Sequence, residues 1–453
     1  MSNKKIQNKK EKPLTRREFI SRTAVGTAGI MVVPRFVLGG PGYVAPSDKL
    51  NIACIGVGGQ GEHDVEGVSS ENIVALCDVD DERAAETFEK FPRVKRYRDF
   101  RIMLEKEHKN IDAVTVTTPD HTHAVIAMMA IKMKKHVYVQ KPLTHTIYEA
   151  RKLAEAAREY KVVTQMGNQG HASEGARLIN EWIWDGAIGN VYEAHCWTNR
   201  PIWPQNIPRP DTLPSLPPTL DWDLWIGPSP WRPYHPAYAP FAWRGWWDFV
   251  TGAIGDMGAH IMDQPFWTLK LDAPDTIQAS STEFNDETYP IASEVTFTFP
   301  ARGEMGPVKL VWHDGGLMPS RPEELEDDRK MGSREGGSLF IGERGKLICS
   351  TYAENPRLIP ESKMREYKLP EKTIPRSPGI REEWIAACKG GPPTTSNFDY
   401  AGKLTETMLL GNLAIRLKER NTILKWDSAN LRITNLAEAN DFIQMKYRQG
   451  WGL

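Results

Sequence analysis

The sequence predicts an α/β Rossmann nucleotide-binding domain followed by an α+β domain with a large open, mainly antiparallel sheet. Three observations carry that expectation. A glycine-spaced turn follows a short apolar run in "KLNIACIGVGGQGEHDVEGV". Strands and helical patterns of about ten residues then alternate, as they do around a parallel sheet. After Gly167 the alternation stops and β-type runs joined by hairpin-like turns take over.

The first strand ends at the turn, where Gly56, Gly58 and Gly61 fall in GxGxxG spacing with Gly59 inside it. One glycine permits the tight turn, the next lets backbone approach a pyrophosphate, and the last lets helix pack on strand. Alone this is a weak signal. It strengthens because a second strand, "NIVALCDVD", ends at Asp78, where a carboxylate can take both ribose hydroxyls of an adenosine. That carboxylate repels a 2'-phosphate, so NAD is expected rather than NADP.

Next come helical "DERAAETFEKF" and "DFRIMLEKE", the β-branched run "IDAVTVTTP", a helix from "THAVIAMMAIKM", a strand "KHVYVQKP", a helix "YEARKLAEAAREY" and a strand "VVTQMGN". Ligands of such sheets lie beyond the carboxyl ends of the strands. Two stretches fall there: "TTPDHTH", which holds Thr118, Pro119, His121 and His123, and "QKP", which holds Gln140 and Lys141. The first also reads as a turn and helix cap, and Lys141 also reads as a surface lysine. The buried-strand character of "HVYV" and the stiff Pro142 behind it favour a lysine aimed into the crevice.

In the second half, a helix "EGARLINEWIWDG" leads to a strand "VYEAHCWTNR" and then to a Pro- and Trp-rich irregular stretch up to about Trp247. The β-type runs "TIQASSTEF", "SEVTFTFP", "VKLVWHD" and "GSLFIGERGKLICS" follow. Helical "GIREEWIAACKG" and "AGKLTETMLLGNLAIRLKER" are expected to cover one face of that sheet. Its other face is free to meet the nucleotide domain or a second copy. Domains are placed at 48–168 and 169–453, after a leader and linker over 1–47.

Between the irregular stretch and the sheet lies "GAIGDMGAHIMD". If helical, it puts Asp256, His260 and Asp263 on one face. Gly252, Gly255 and Gly258 would each cost roughly 1 kcal/mol in an ordinary helix interior, so something is expected to pack closely against them. The competing reading is a capped helix with a structural Asp–His hydrogen bond.

The net charge of -1 removes an electrostatic case for a nucleic-acid partner. The five cysteines have neither CxxC nor zinc spacing, so no metal site is indicated. "TRREFI" at residues 15–20, a basic stretch before it and an apolar run after it, fits a twin-arginine export signal better than a basic tail. The run is too short to span a bilayer stably. A periplasmic destination is therefore expected.

With the glycine turn, "TTPDHTHA", "QKP" and "GAIGDMGAHIMD" in this order, the chain resembles the glucose-fructose oxidoreductase and inositol dehydrogenase family, Gfo/Idh/MocA, over residues 48 to about 430. The resemblance implies an oxidoreductase acting on sugars or related polyols, with Lys141 matching the lysine of the family's Glu-Lys-Pro motif and Asp256 and His260 its Asp-x-x-x-His pair. Gln140 stands where the family has glutamate. The implied cofactor contacts extend to Asn168 and to Trp243 and Arg244, which close over the cofactor in relatives. Asn199, Arg200, Trp203 and Asp263 are the candidates for substrate.

In this reading neutral His260, with a reference pKa near 6.5, takes the hydroxyl proton as hydride leaves. Lys141 stabilises the oxygen, and Asp256 orients the imidazole or binds a neighbouring hydroxyl. Several tryptophans of the irregular stretch staple loops, and two or three at most touch substrate. An exported enzyme has no NAD pool to draw on, so its cofactor is expected to be held near ~10⁻¹⁰ M. The alternative function is a closed redox cycle serving glycoside hydrolysis, elimination or epimerisation. A homo-oligomer through the open sheet is expected.

Overall fold

The computed structural model describes residues 48–453. The twin-arginine stretch lies outside the described residues. Six parallel strands, β1 (Asn51–Ile55), β2 (Asn72–Cys77), β3 (Lys95–Tyr97), β4 (Ala113–Val116), β5 (His136–Val139) and β6 (Thr164–Met166), form the first sheet in the order β3-β2-β1-β4-β5-β6. Strand order reverses at β1, which pairs with β2 on one side and β4 on the other. The crevice beyond that reversal is where an open α/β sheet receives a ligand.

The glycine turn follows from packing. Gly56 has φ 74, and a Cβ there would stand 2.5 Å from the Thr117 carbonyl oxygen; one on Gly61 would stand 1.9 Å from the Gly56 carbonyl oxygen. Helix Gln60–Gly67 can therefore close on β1 only with glycine at both positions.

The second sheet has nine strands: β7 (Val191–Thr198), β8 (Thr276–Ser281), β9 (Ser293–Phe299), β10 (Val308–His313), β11 (Gly336–Gly342), β12 (Gly345–Ser350), β13 (Arg357–Ile359), β14 (Leu424–Asp427) and β15 (Arg432–Ile433). Their order is β13-β12-β11-β7-β10-β9-β8-β14-β15, antiparallel throughout except between β7 and β10. Strands of the first sheet all fall within 48–168 and those of the second within 169–453.

One expectation changes. Helix Ile380–Cys388 covers the nucleotide sheet instead of the second sheet: Ile380 and Trp384 join Ile52, Cys54, Val57, Leu76 and Tyr138 in one buried cluster. The Trp384 and Tyr138 rings are 5.7 Å apart. That face of β1 and β5 is apolar and requires a cover, and a segment more than two hundred residues away supplies it. Helix Phe398–Arg416 is buried on nearly every side, as Ala401, Leu404, Met408, Leu410 and Leu413 show. It lies between helix Ile147–Tyr160 and strands β8 and β9, which explains its apolar circumference.

The Trp-rich stretch is largely core. Trp222 stacks on Trp225 at 4.8 Å, and Tyr238 meets the edge of Trp246 at 4.7 Å. Trp231 stays exposed.

Candidate functional site

The carboxyl ends of the first sheet open into a cleft lined by Gly56, Gly58, Asp78, Thr118, Pro119, Gln140, Lys141, Trp243, Arg244 and Asp256. Its cavity volume is about 170 Å³. Asp78 accepts hydrogen bonds from the backbone N–H of Val57 at 2.8 Å and of Gly58 at 3.2 Å through Oδ2, and from Asp80 N–H at 3.1 Å through Oδ1. Its carboxylate thus ties the glycine turn to β2. Burial pushes its pKa up against those three N–H groups. Arg83 packs against the turn: a Cβ on Gly58 would stand 2.5 Å from the Arg83 carbonyl oxygen, and one on Gly59 would stand 2.5 Å from the Arg83 guanidinium. A bare turn, a carboxylate beside it and a guanidinium above it fit a dinucleotide.

Lys141, just past β5, donates from Nζ to the Asp256 carboxylate at 2.6 Å and to the Asp256 carbonyl oxygen at 2.7 Å. Asp256 comes from helix Gly252–Ile261, after the long irregular stretch. Burial pushes the Asp256 carboxyl up, but the Lys141 ammonium and the Arg244 guanidinium outweigh it and hold the pKa below its ordinary value. Arg200 approaches the second oxygen of Asp256 at 3.9 Å, and donates to Glu335 at 3.1 Å and to the Asn199 side-chain oxygen at 2.6 Å. Arg244 stacks over Trp243 at 4.3 Å. The helix runs close to its neighbours, since a Cβ on Gly258 would stand 2.8 Å from the Met408 sulfur.

His260 lies one turn beyond Asp256, with its ring 4.9 Å from that of Tyr352. It does not bond Asp256, whose carboxylate is taken by Lys141, and its Nδ1 is buried without a partner. The expected pKa near 6.5 is corrected: burial first and the Lys141 charge second push it down to about 3. The imidazole is neutral across the physiological range and a weaker base than its reference value implies.

Other expected residues take other places. His121 is buried, with Nε2 at 2.9 Å from the Trp225 carbonyl oxygen, and burial pushes its pKa down to about 3. His123 is clamped between the carbonyls of Pro142 and Thr118 at 2.8 and 2.7 Å. The Asp263 carboxylate is engaged away from the cleft. The first helix ends at Ile261 and a second begins at Asp263, whose carboxylate meets buried Asn168 and His171 at 3.0 and 3.0 Å and half-buried Tyr400 at 2.7 Å. Asn168 is held there rather than in the cleft. Trp203 is buried, with Nε1 unpartnered.

Two residues outside the expected set matter. Asp64, 1% exposed, accepts from Gln140 Nε2 at 2.9 Å, from Thr117 Oγ1 at 2.9 Å and from Arg381 Nε at 2.9 Å. Gln140 Oε1 in turn accepts from the Lys141 backbone N–H at 3.2 Å. A carboxylate three residues past the glycine turn was a legible signal, whereas Arg381 comes from 317 residues away and had none. Among the described residues no group of His, Cys, Asp and Glu could hold a metal ion, and no helix is long and apolar enough to cross a membrane.

His121 and His260 give the fold a pH dependence. Both titrate near 3 when folded and near about 6.5 when unfolded. Between those values the unfolded chain binds more protons, so their contribution is complete above about pH 6.5 and is lost toward pH 3, by about 1.4 kcal/mol per unit for each histidine. Replacing His121 by Asn is expected to flatten the pH dependence of unfolding free energy by about that slope between roughly pH 5.5 and 4. Denaturant melts at stepped pH measure it, and parallel slopes for both proteins would contradict it.

Fold and cleft together define a protein with a Rossmann-type nucleotide-binding sheet and a second, mostly antiparallel sheet. Residues 50–168 match the Gfo/Idh/MocA oxidoreductase family, NAD-binding Rossmann fold, and residues 204–302 match that family's C-terminal alpha/beta domain. The two matches together cover just under half of the chain. Among curated relatives, myo-inositol 2-dehydrogenase of Thermotoga maritima is 26% identical over 158 residues, 34% of this chain and 47% of that protein. Levoglucosan dehydrogenase of Pseudarthrobacter phenanthrenivorans is 28% identical over 189 residues, 42% of this chain and 40% of that protein. The matches thus span less than half the length of these relatives. The solved WlbA dehydrogenase of Bordetella pertussis, in complex with NADH and UDP-GlcNAcA, superposes with TM-score 0.57 at 16% identity, covering 84% of this chain and 99% of that one. That likeness concerns the fold.

Proposed function

We propose that this protein is an NAD(P)-dependent oxidoreductase acting on a hydroxyl of a sugar, glycoside or related polyol. The observation that carries the reading is the ammonium of Lys141, held at 2.6 Å from Asp256 at the mouth of a cleft that also contains the glycine turn. The names of the relatives support polyol and sugar substrates. A dinucleotide along Gly56, Gly58, Asp78, Thr118 and Gln140 supplies the hydride acceptor. Asp78 favours NAD over NADP, because a 2'-phosphate would meet a carboxylate.

The chain's own residues then do three things. Lys141 and Arg200 present positive charge to the hydroxyl oxygen and stabilise the charge that develops on it. Asp256 fixes the ammonium and leaves its second oxygen free for a neighbouring hydroxyl. His260, neutral and one turn away, accepts the proton. Because its basicity is lowered by burial and by Lys141, proton transfer depends on the cations stabilising the oxygen at the same moment. Trp243 and Arg244 wall the cleft and exclude water.

The remaining parts of the reading concern context. Export by the twin-arginine route to the periplasm would select for a cofactor bound tightly enough to travel with the folded protein, and the open second sheet would pair two copies. The test uses protein purified with its bound nucleotide, mixed with inositol, hexoses and glycosides, with absorbance at the reduced-nicotinamide band and products both recorded. Reduction stoichiometric with one sugar is the expected result. Product without net reduction would point to the redox-neutral alternative, and sugar binding with neither would overturn the enzymatic reading.

A further inference from the structure

A second cavity of about 280 Å³ lies apart from the cleft, lined by His145, Trp247, Tyr289, Asn412, Arg416 and Lys446 among others. Its wall is aromatic: Trp247 and Tyr289 stack with centroids 3.5 Å apart. The Arg416 guanidinium is sandwiched, 4.8 Å from the Trp247 ring and 4.7 Å from the Phe442 ring. Among the described residues neither Arg416 nor the exposed Lys446 pairs with a carboxylate. Asp248, also in the lining, is committed to Arg232, and Asp441 is exposed to solvent. A half-buried cation between two rings with no counter-ion is an anion site by its chemistry.

Two other lining residues add a different demand. His145 Nε2 faces the carbonyl oxygens of Trp247 and Val250 at 2.9 and 3.1 Å, so that nitrogen carries the proton and Nδ1 is an acceptor. Asn412, 7% exposed, donates from Nδ2 to the Thr251 carbonyl at 2.6 Å, which leaves Oδ1 an acceptor as well. Both His145 Nδ1 and Asn412 Oδ1 are buried without a partner. Buried acceptors are ordinarily satisfied, by protein, water or ligand, so an occupant with hydroxyl or amine donors as well as negative charge suits this lining.

We propose that this cavity is a second small-molecule site, for a polyhydroxylated anion of sugar-acid or sugar-phosphate type, with Arg416 and Lys446 on the anionic group and His145 and Asn412 accepting from hydroxyls. Trp247 and Asp248 form part of its wall and stand a few residues before the helix that carries Asp256 and His260, while Val250 lines the first cleft. The inference rests on residues of this cavity alone and stands or falls apart from the reading of the cleft.

Calorimetric titration of the full chain, saturated with NAD, tests it with gluconate, glucose 6-phosphate, glucose and inorganic phosphate. Saturable binding of gluconate or glucose 6-phosphate is expected, weakened at least tenfold by Arg416→Gln, severalfold by the exposed Lys446→Gln, and unchanged by Lys141→Ala. Gluconate alone binding assigns the sugar acid, and glucose 6-phosphate alone assigns the sugar phosphate. Glucose binding equally well and weakened alike by Arg416→Gln would remove the anionic group from the proposal, and phosphate binding equally well would remove the hydroxyls; either overturns it. So would heats unaffected by both Arg416→Gln and Lys446→Gln, or no binding by any of the four compounds.

Discussion

Replacing Lys141 with alanine is expected to lower kcat for polyol oxidation by about 10²- to 10⁴-fold, the range ordinarily supplied by a positioned proton-transfer or charge-stabilising group. Dinucleotide affinity is expected to stay within a few-fold of the parent, because the turn is organised by Asp78 rather than by the lysine. Removing the ammonium also leaves Asp256 buried without its main counter-charge. Its pKa must then rise, so the variant's residual activity should depend on pH in a range where the parent's does not. Lys141→Arg keeps the charge but replaces a compact ammonium by a planar fork, and should recover stability more fully than rate. Single-turnover rates beside cofactor titrations separate these effects. A lost cofactor affinity with chemistry intact would remove Lys141 from the reaction.

The second large effect concerns Gln140, the residue that departs from the family's glutamate. Its amide donates to Asp64, which is buried and already shared with Arg381 and Thr117. A glutamate at 140 would put an oxygen where that N–H₂ now lies, about 3 Å from a second carboxylate, with one guanidinium to serve both. Gln140→Glu is therefore expected to cost about 3 kcal/mol, comparable with an uncompensated buried charge. The sign of its pH dependence follows. The new carboxyl has a folded pKa raised above the unfolded value of about 4.3, so the penalty is smallest below about pH 4 and grows as pH rises through the folded pKa. Asp64→Asn in the same chain should restore most of the loss, a coupling that a double-mutant cycle reads directly. Equal melting midpoints for the parent and Gln140→Glu would show that Asp64 and residue 140 are independent.

This pair also shows where reading the sequence stopped. Gln140 is visible in the sequence as a departure, but its partner is not. The structure assigns it a partner inside the protein: the helix after the glycine turn brings Asp64 beneath β5. Local pattern located the residue, and only packing located its partner. The same division holds for Asp263. Helical spacing puts it with Asp256 and His260, and packing engages its carboxylate with Asn168, His171 and Tyr400. His260 kept its place on the helix while its basicity changed, since burial and a neighbouring ammonium are properties of the assembled site.

The order of strands and helices in the first sheet, the glycine turn with Asp78, and Lys141 at the end of β5 were all written in the sequence, because each depends on contacts between residues close in the chain or on a fixed period of 2 or 3.6 residues. What tertiary structure alone decided is the union of Lys141 with Asp256, the helix Ile380–Cys388 covering the nucleotide sheet, and the closure of a second cavity by Arg416 between Trp247 and Phe442. Those pairings span from tens to hundreds of residues. They form because buried charge requires a partner and apolar sheet faces require a cover, and no local periodicity records which distant segment will meet either need.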